Sequence, residues 1–454
     1  MRPLSMTALT AARLARLTLQ LRRLRDERGG NVLLVFALAL VPLIGLIGVS
    51  VDFVRGINYR THFDRAVDAA TLTAVATARD YISSNPNNET NPTASALTLG
   101  QTRGMAAFRA NAGPILTSLP LTPDLTVTRT GNVVTAAATY ASTYSSPFSK
   151  VFSDVTAIAV SGKSSSSLTL GSYTDFYLVL DTSGSMGFPT SSAAQLQFAK
   201  LNPDMADAKG NNCAFACHFA GSRGFGIAKA NNIELRIATV SNAVQQLIGK
   251  AQSNQTLSNQ YRMGMYPFVS YLETAADITT NLSSLTSINL ENYMDIGDST
   301  VPRGSGGTHY ENVFSAINSK IRLVGDGTSA SKPLPFVFFI TDGVGNNQYW
   351  DNRNGWTGSQ AKLLDPTLCK TLKDRGVTVS VLYIPYVPLA TPFNTNVGYE
   401  NVVVNALIPN VPSTLQSCAS AGYFRTASSA TEIQDALNAM FDQATRKARL
   451  IAGP

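Results

Sequence analysis

Histidine is nearly absent: the 454 residues contain three, His62, His218 and His309. That scarcity removes the usual base of a nucleophile, base and acid arrangement, and no serine stands in a GxSxG elbow, so enzymatic activity is not expected. Zinc is excluded on the same ground, because Cys213, Cys217 and His218 have no further His or Cys ligands at zinc spacing. The run Cys213-Ala-Phe-Ala-Cys217-His218 is also one residue longer than the CxxCH of c-type haem attachment. Charged residues are sparse, at 14 %, and the net charge of +7 is unevenly placed. Arg2, Arg13, Arg16, Arg22, Arg23, Arg25 and Arg28 precede the first long apolar run, with Asp26 and Glu27 against them. The remainder is close to neutral, and no Lys or Arg cluster interleaved with aromatics follows the tail, which excludes nucleic acid as a partner. Gly304, Gly306 and Gly307 lack the Lys and Ser or Thr that a phosphate loop requires. No repeat of about 20 to 50 residues is visible, so solenoids and propellers are excluded.

What the chain does have is apolar content, 44 %, and enough length for two or three domains with sizeable cores. Residues Val32 to Val51 carry no charge, and as a helix such a run spans roughly 30 Å, the hydrocarbon thickness of a bilayer. A core helix would show a polar stripe, whereas Ser50 is the one polar side chain of this run. The run also exceeds the ~7 to 15 residues of a signal-peptide core. Residues 1–28 therefore read as a basic cytoplasmic tail and 29–53 as a transmembrane helix, with everything after Asp52 outside the cytoplasm by the positive-inside rule. Cys213, Cys217, Cys369 and Cys418 all follow the span, and an even number of cysteines in an oxidising compartment reads as disulfides. The preferred pairing is Cys213 with Cys217 and Cys369 with Cys418, with the other two pairings open.

Past the span, Phe53, Val54, Ile57, Phe63, Val67, Ala70 and Val75 recur at helical intervals, so the membrane helix is expected to continue outward. Residues 83–100 read as a turn-rich linker, and a second helix is expected around Gln101 to Ala112. Leu125 to Tyr144 and Val155 to Val160 have strand character, with Thr130-Gly131-Asn132 as a turn. Residues 54–165 thus read as a long helix backed by a small antiparallel sheet. The Ser and Gly-rich stretch 161–172 reads as a connector. From 171 to 454 the pattern becomes strand, loop, helix, repeated. The runs FYLVL (176–180), YRMGMYPFV (261–269), PFVFFI (335–340) and VTVSVLYI (377–384) are too apolar for one-faced strands. They predict a doubly wound α/β domain with a mostly parallel sheet.

In open α/β sheets, ligands bind beyond the carboxyl ends of strands. FYLVL runs into Asp181-Thr182-Ser183-Gly184-Ser185, PFVFFI runs into Thr341-Asp342-Gly343, and a glycine-rich loop places Thr308 just before a helix. Asp181, Ser183, Ser185, Thr308 and Asp342 form an all-oxygen set of two carboxylates and three hydroxyls. Such a set suits a hard cation, Mg²⁺ first, with Mn²⁺ or Ca²⁺ as alternatives. Helix capping and turn formation would account for Asp181 and Ser183. They would not account for three separate segments supplying the right groups in order.

These residues resemble the metal-ion-dependent adhesion site of von Willebrand A domains at every position. The resemblance implies that Ser183, Ser185 and Thr308 bind the ion directly, that Asp181 and Asp342 act directly or through water, and that a partner protein's carboxylate completes the coordination. The N-terminal half resembles TadG-like proteins of Tad or Flp pilus assembly, through Arg28-Gly29-Gly30-Asn31, the apolar span and Asp68-Ala69-Ala70. LCKTLKDRGVTVSVLYI and SCASAGYFRTASSATEI fit the same outline, so the two resemblances cover nearly the whole chain. They imply a pilin-like region before the von Willebrand A domain, an inner-membrane location, and other pilus-assembly components as partners. Prepilins of that system carry a glutamate where Leu34 or Val35 stands here, so a retained anchor is expected. The alternative is a von Willebrand A accessory subunit of an AAA+ chaperone or chelatase, which would work in the cytoplasm.

Overall fold

In a computed structural model, residues 30–85, 92–148, 150, 157–203, 222–295, 307–347, 360–386 and 398–452 are described. The chain falls into two compact units. One gathers residues up to Thr77, Leu97–Thr128 and Thr135–Ser167, and the other Ala78–Ala96, Arg129–Val134 and Leu168 onward.

The first unit is built on α1 (Gly30–Ser84), which runs through Pro42 without a break. Among the described residues this is the one helix long and apolar enough to cross a membrane, by length and composition. Further along α1, Phe63, Ala66, Val67, Ala70 and Ala74 are fully buried, and their spacing of three and four residues forms one apolar stripe. Phe63 packs on Phe108 of α2 (Pro92–Ala112) and on Tyr140 of β2, with ring centres 6.4 and 5.7 Å apart. β1 (Asp124–Thr130), β2 (Val133–Ser145) and β3 (Ala157–Thr169) form a three-stranded sheet in that order. The two-residue link between β1 and β2, with Gly131 at a φ of 57°, permits an antiparallel hairpin and no crossover.

Two sequence expectations need correction. The stretch 83–100 is not a linker throughout, because α2 begins at Pro92. Proline is well placed in the first turn of a helix, and no other breaker follows before Gly100. Nor is 161–172 a connector throughout, since β3 continues through its serines to Thr169, although the division between the two units falls at Ser167 and Leu168. A strand's ladder is made by the backbone, and alternate serines are satisfied by a neighbour: the Thr71 hydroxyl lies 3.2 Å from Ser164 Oγ and 2.9 Å from Ser166 Oγ.

The second unit is a mixed α/β structure around a parallel-rich six-stranded sheet. Its order is β11 (Phe424–Thr426), β10 (Thr378–Tyr383), β7 (Leu334–Thr341), β4 (Thr174–Asp181), β5 (Tyr261–Phe268) and β6 (Ala276–Thr279). The pairs from β11 to β5 are parallel, and β6 is antiparallel to β5. β4, β7 and β10 are buried at every residue, which is why they read as continuous apolar runs. Phe176, Val179, Val337, Phe338, Val379 and Val381 lie in the core between sheet and helices. Cys369 and Cys418 are joined by a disulfide with Cα atoms 5.2 Å apart. Cys213 and Cys217 lie outside the described residues.

Candidate functional site

β4 and β7 are neighbours in the sheet and run in the same direction, so Asp181, at the end of β4, and Asp342, directly after β7, leave the sheet at the same edge. After Asp181 the chain tightens into a 3-10 turn, Gly184–Gly187, closed by Met186 N–H to Ser183 O at 2.9 Å. Asp181 organises this turn: its Oδ1 accepts from Ser183 N at 2.9 Å and from Ser183 Oγ at 2.6 Å. The Ser183 and Ser185 hydroxyls are then 3.1 Å apart. The other oxygen, Oδ2, accepts from Thr341 Oγ1 at 2.6 Å, a bond between the two strand ends. Gly343 takes a φ of +91°, and a Cβ there would run into Val411, so the turn away from Asp342 needs glycine.

Thr308 reaches this edge from a third segment. It exchanges two backbone hydrogen bonds with Asn346, at 2.6 and 2.9 Å, and Asn346 ends β8 (Val344–Asn346), the strand that follows Asp342. The helix Tyr310–Lys320 then begins. Its Tyr310 hydroxyl sits 2.8 Å from Thr341 Oγ1. The structure thus joins Asp181, Ser183 and Ser185 through side-chain bonds and ties the Thr308 backbone to the strand leaving Asp342.

All five residues are buried, and Ser185 is the most exposed at 9 %. Burial penalises the charged form of a carboxyl, and two carboxylates facing each other add repulsion. The Asp181 carboxyl is accordingly pushed up to about 7, by burial first and by Asp342 second. Asp342 is also raised by burial, while Arg236 pulls it the other way. Tyr310 is raised well above the ordinary tyrosine range by burial and then by the two aspartates.

Three participants carry no signal in the DxSxS pattern. Thr341 links the strand ends and the Tyr310 hydroxyl rests on Thr341, as above. Arg236 donates to Asp342 Oδ2 at 3.3 Å, with side-chain exposures of 1 % and 0 %. A lone arginine between Leu235 and Ile237 at the start of an apolar helix face was the readable clue, since a buried guanidinium requires an acceptor.

The donor set can be tested against a divalent ion. Asp342 Oδ1 is buried with no hydrogen-bond partner, and an orphaned carboxylate oxygen is an open acceptor for a cation. Two carboxylates and hydroxyls match a hard ion by chemistry. Among the described residues no group of three or more His, Cys, Asp or Glu gathers, so hydroxyl oxygens are essential to any such site here.

No family model matches the chain, and no curated protein matches it. Among solved structures it is similar to the pilus adhesin SpaC from Lactobacillus rhamnosus GG, at 15 % identity, covering 73 % of this chain and 34 % of that one, with a TM-score of 0.34. It is similar to the PilB minor pilin from Streptococcus sanguinis, at 11 % identity, with 74 % and 80 % covered and a TM-score of 0.35. The vWF domain of the type V pili tip protein Mfa5 from Porphyromonas gingivalis is also similar, at 9 % identity, with 63 % and 98 % covered and a TM-score of 0.36. The chain spans about a third of the length of the pilus adhesin.

Proposed function

We propose that this protein is a membrane-anchored, non-catalytic component of Tad or Flp pilus assembly or adhesion. Its second unit is a doubly wound von Willebrand A type domain that binds a protein partner through a divalent ion, Mg²⁺ first. The observation that carries this reading is the pair of buried aspartates on adjacent parallel strand ends, one of which keeps an unsatisfied oxygen. Asp181, Ser183, Ser185, Thr308 and Asp342 would hold the ion. When bound, it would supply a positive position that a partner's acidic side chain can occupy. Asp181 orients the Ser183 hydroxyl, and Thr341 keeps Asp181 in place. Ser185 is the least covered of the five, so a partner's approach entails local rearrangement around it. The pilus assignment rests on the sequence resemblance of the N-terminal half, and the anchor on the apolar run in α1.

The direct experiment is Mn²⁺ titration of the full chain in detergent, followed by electron paramagnetic resonance. Saturable binding that Mg²⁺ displaces and that Asp181→Ala removes is the expected result, and absence of binding refutes the site. Pull-down from pilus-forming cells should recover partners without chelator and lose them with it. A reporter active only outside the cytoplasm, fused after Pro454, should be active. An inactive reporter on a stably made protein would instead favour a cytoplasmic accessory subunit of an AAA+ machine.

A further inference from the structure

Arg236 opens the helix Arg236–Ser253 and is 1 % exposed. Its guanidinium carbon lies 5.7 Å from the ring centre of Phe188 and 5.7 Å from that of Tyr386. Nη1 donates to Asp342 Oδ2 at 3.3 Å and Nη2 to Pro385 O at 3.0 Å. Its backbone N–H donates to Phe188 O at 3.1 Å, the residue that closes the serine-bearing turn. Burying a guanidinium costs several kcal/mol of lost hydration, and an apolar side chain of similar volume often fills such a place at no loss of stability. Packing alone therefore does not explain a charge here. The contact to Asp342 is also longer than the ~2.7 to 2.9 Å of a tight charge-assisted bond, so Asp342 keeps charge to share.

We infer that Arg236 is a resident cation of the metal site, which weakens the hold on a divalent ion alone and makes binding of the ion and of an acidic partner group depend on each other. The inference rests on the reading of this edge as a divalent-ion site. With both aspartates ionised the edge carries two negative charges, and Arg236 leaves a net charge of about −1 by formal count. A divalent ion then overshoots to about +1, which a partner's carboxylate cancels. Unbalanced charge in a buried place is costly, so each of the two bound groups favours the other, and the coupling is reciprocal. Without Arg236 the ion alone would balance the aspartates, and little would remain to attract an acid. The two flanking rings hold the guanidinium in place.

The test is Mn²⁺ titration of the full chain in detergent, with and without acetate as the carboxylate probe. In the wild type, saturating acetate should tighten Mn²⁺ binding several-fold. Arg236→Gln keeps a donor for Asp342 and removes the charge. It should bind Mn²⁺ on the order of tenfold more tightly without acetate, with the acetate effect reduced to less than about twofold. Arg236→Lys should behave as wild type. A residue that merely supported the fold would lower metal affinity when replaced, not raise it. Thermal melting confirms that each variant is folded. If Arg236→Gln does not fold, the wild-type response to acetate decides: tightening supports the inference and no response overturns it. A folded Arg236→Gln that binds Mn²⁺ no more tightly than wild type overturns the inference and leaves the metal site standing. Absence of Mn²⁺ binding in the wild type and in both variants overturns the metal site and the inference together.

Discussion

Three buried aspartates follow apolar runs in this chain, Asp52 after the run in α1, Asp181 at the end of β4 and Asp342 after β7, and their surroundings divide them into two kinds. Asp52 accepts hydrogen bonds from the segment 144–148. Its Oδ2 accepts from Ser146 Oγ at 2.5 Å and from Phe148 N at 3.0 Å, and its backbone carbonyl accepts from the Tyr144 hydroxyl. Gly48 and Gly56, one turn to either side on the same helix face, leave room for this segment. A Cβ at Gly48 would stand 2.8 Å from Phe148 Cβ, and one at Gly56 would stand 3.3 Å from Tyr144 Cε1. Asp181 also accepts three hydrogen bonds, but a second buried carboxyl, Asp342, stands beside it, and both are raised, by burial first. A carboxylate that accepts from one segment of its own unit ties that segment to the helix. Two buried carboxyls at one sheet edge retain a demand for positive charge.

The largest expected effect tests the first half of that comparison. Asp52→Ala leaves the Ser146 hydroxyl and the Phe148 N–H without their acceptor, and bonds to a charged group are each worth about 1.5 to 3 kcal/mol. Thermal melting of the full chain in detergent should therefore show a loss of about 3 to 5 kcal/mol, while Mn²⁺ affinity stays at the wild-type value. A change below about 1 kcal/mol would remove the structural role assigned to Asp52. The second effect tests the other half. Asp181→Ala should lower Mn²⁺ affinity about 100-fold, which is about 2.7 kcal/mol. Melting without ion should fall by less than for Asp52→Ala, because the loss of three hydrogen bonds is offset by removal of a buried charge that Asp342 opposes. If ion-free melting falls as far as for Asp52→Ala, the two kinds of aspartate are one kind.

Much of this contrast was readable from residues alone, and the reason is periodicity. β4, β5, β7 and β10 coincide with the four apolar runs to within two residues at each end. Strands covered on both faces must be apolar throughout, so burial is written directly into the sequence. The same directness put Asp181 and Asp342 at strand ends. β3 was not legible, because a serine-rich strand satisfied by Thr71 has the composition of a linker. Arg236 and Tyr310 were not legible as site residues, and Thr341 only as part of Thr341-Asp342-Gly343. Their roles depend on which strands are neighbours, and sheet order is set by tertiary packing. Thr341 matters because β7 lies beside β4, which places its hydroxyl on Asp181. Asp52 could be read as the end of the span but not as a clamp, since its partners lie 94 and 96 residues away.

Thr308→Ala sharpens the comparison at smaller scale. It removes one neutral ligand and no charge, so Mn²⁺ affinity should fall about tenfold, or about 1.4 kcal/mol, less than for Asp181→Ala. An equal loss in the two variants would mean that charge is not what the site supplies.

The last effect is a dependence on pH that should appear only when the ion is removed. The Asp181 carboxyl is held at about 7 in the folded chain, against about 3.9 for an unfolded aspartate. Between these values the folded state binds more protons than the unfolded one, so its stability falls as pH rises. Acidification through 7 toward 4 should thus stabilise the ion-free protein, and the penalty of the buried charge should be fully present above about 8. A bound divalent ion takes the place of that proton and favours the ionised form. Saturating Mg²⁺ should therefore abolish the gain on acidification, and below pH 6 proton competition should weaken Mg²⁺ binding. Other carboxylates titrate in the same range, so the signal is the difference between wild type and Asp181→Asn, melted at pH 5, 6, 7 and 8 in chelator. The wild type should gain on that variant as pH falls. Parallel curves for wild type and Asp181→Asn would show that burial and Asp342 place no penalty on the Asp181 charge.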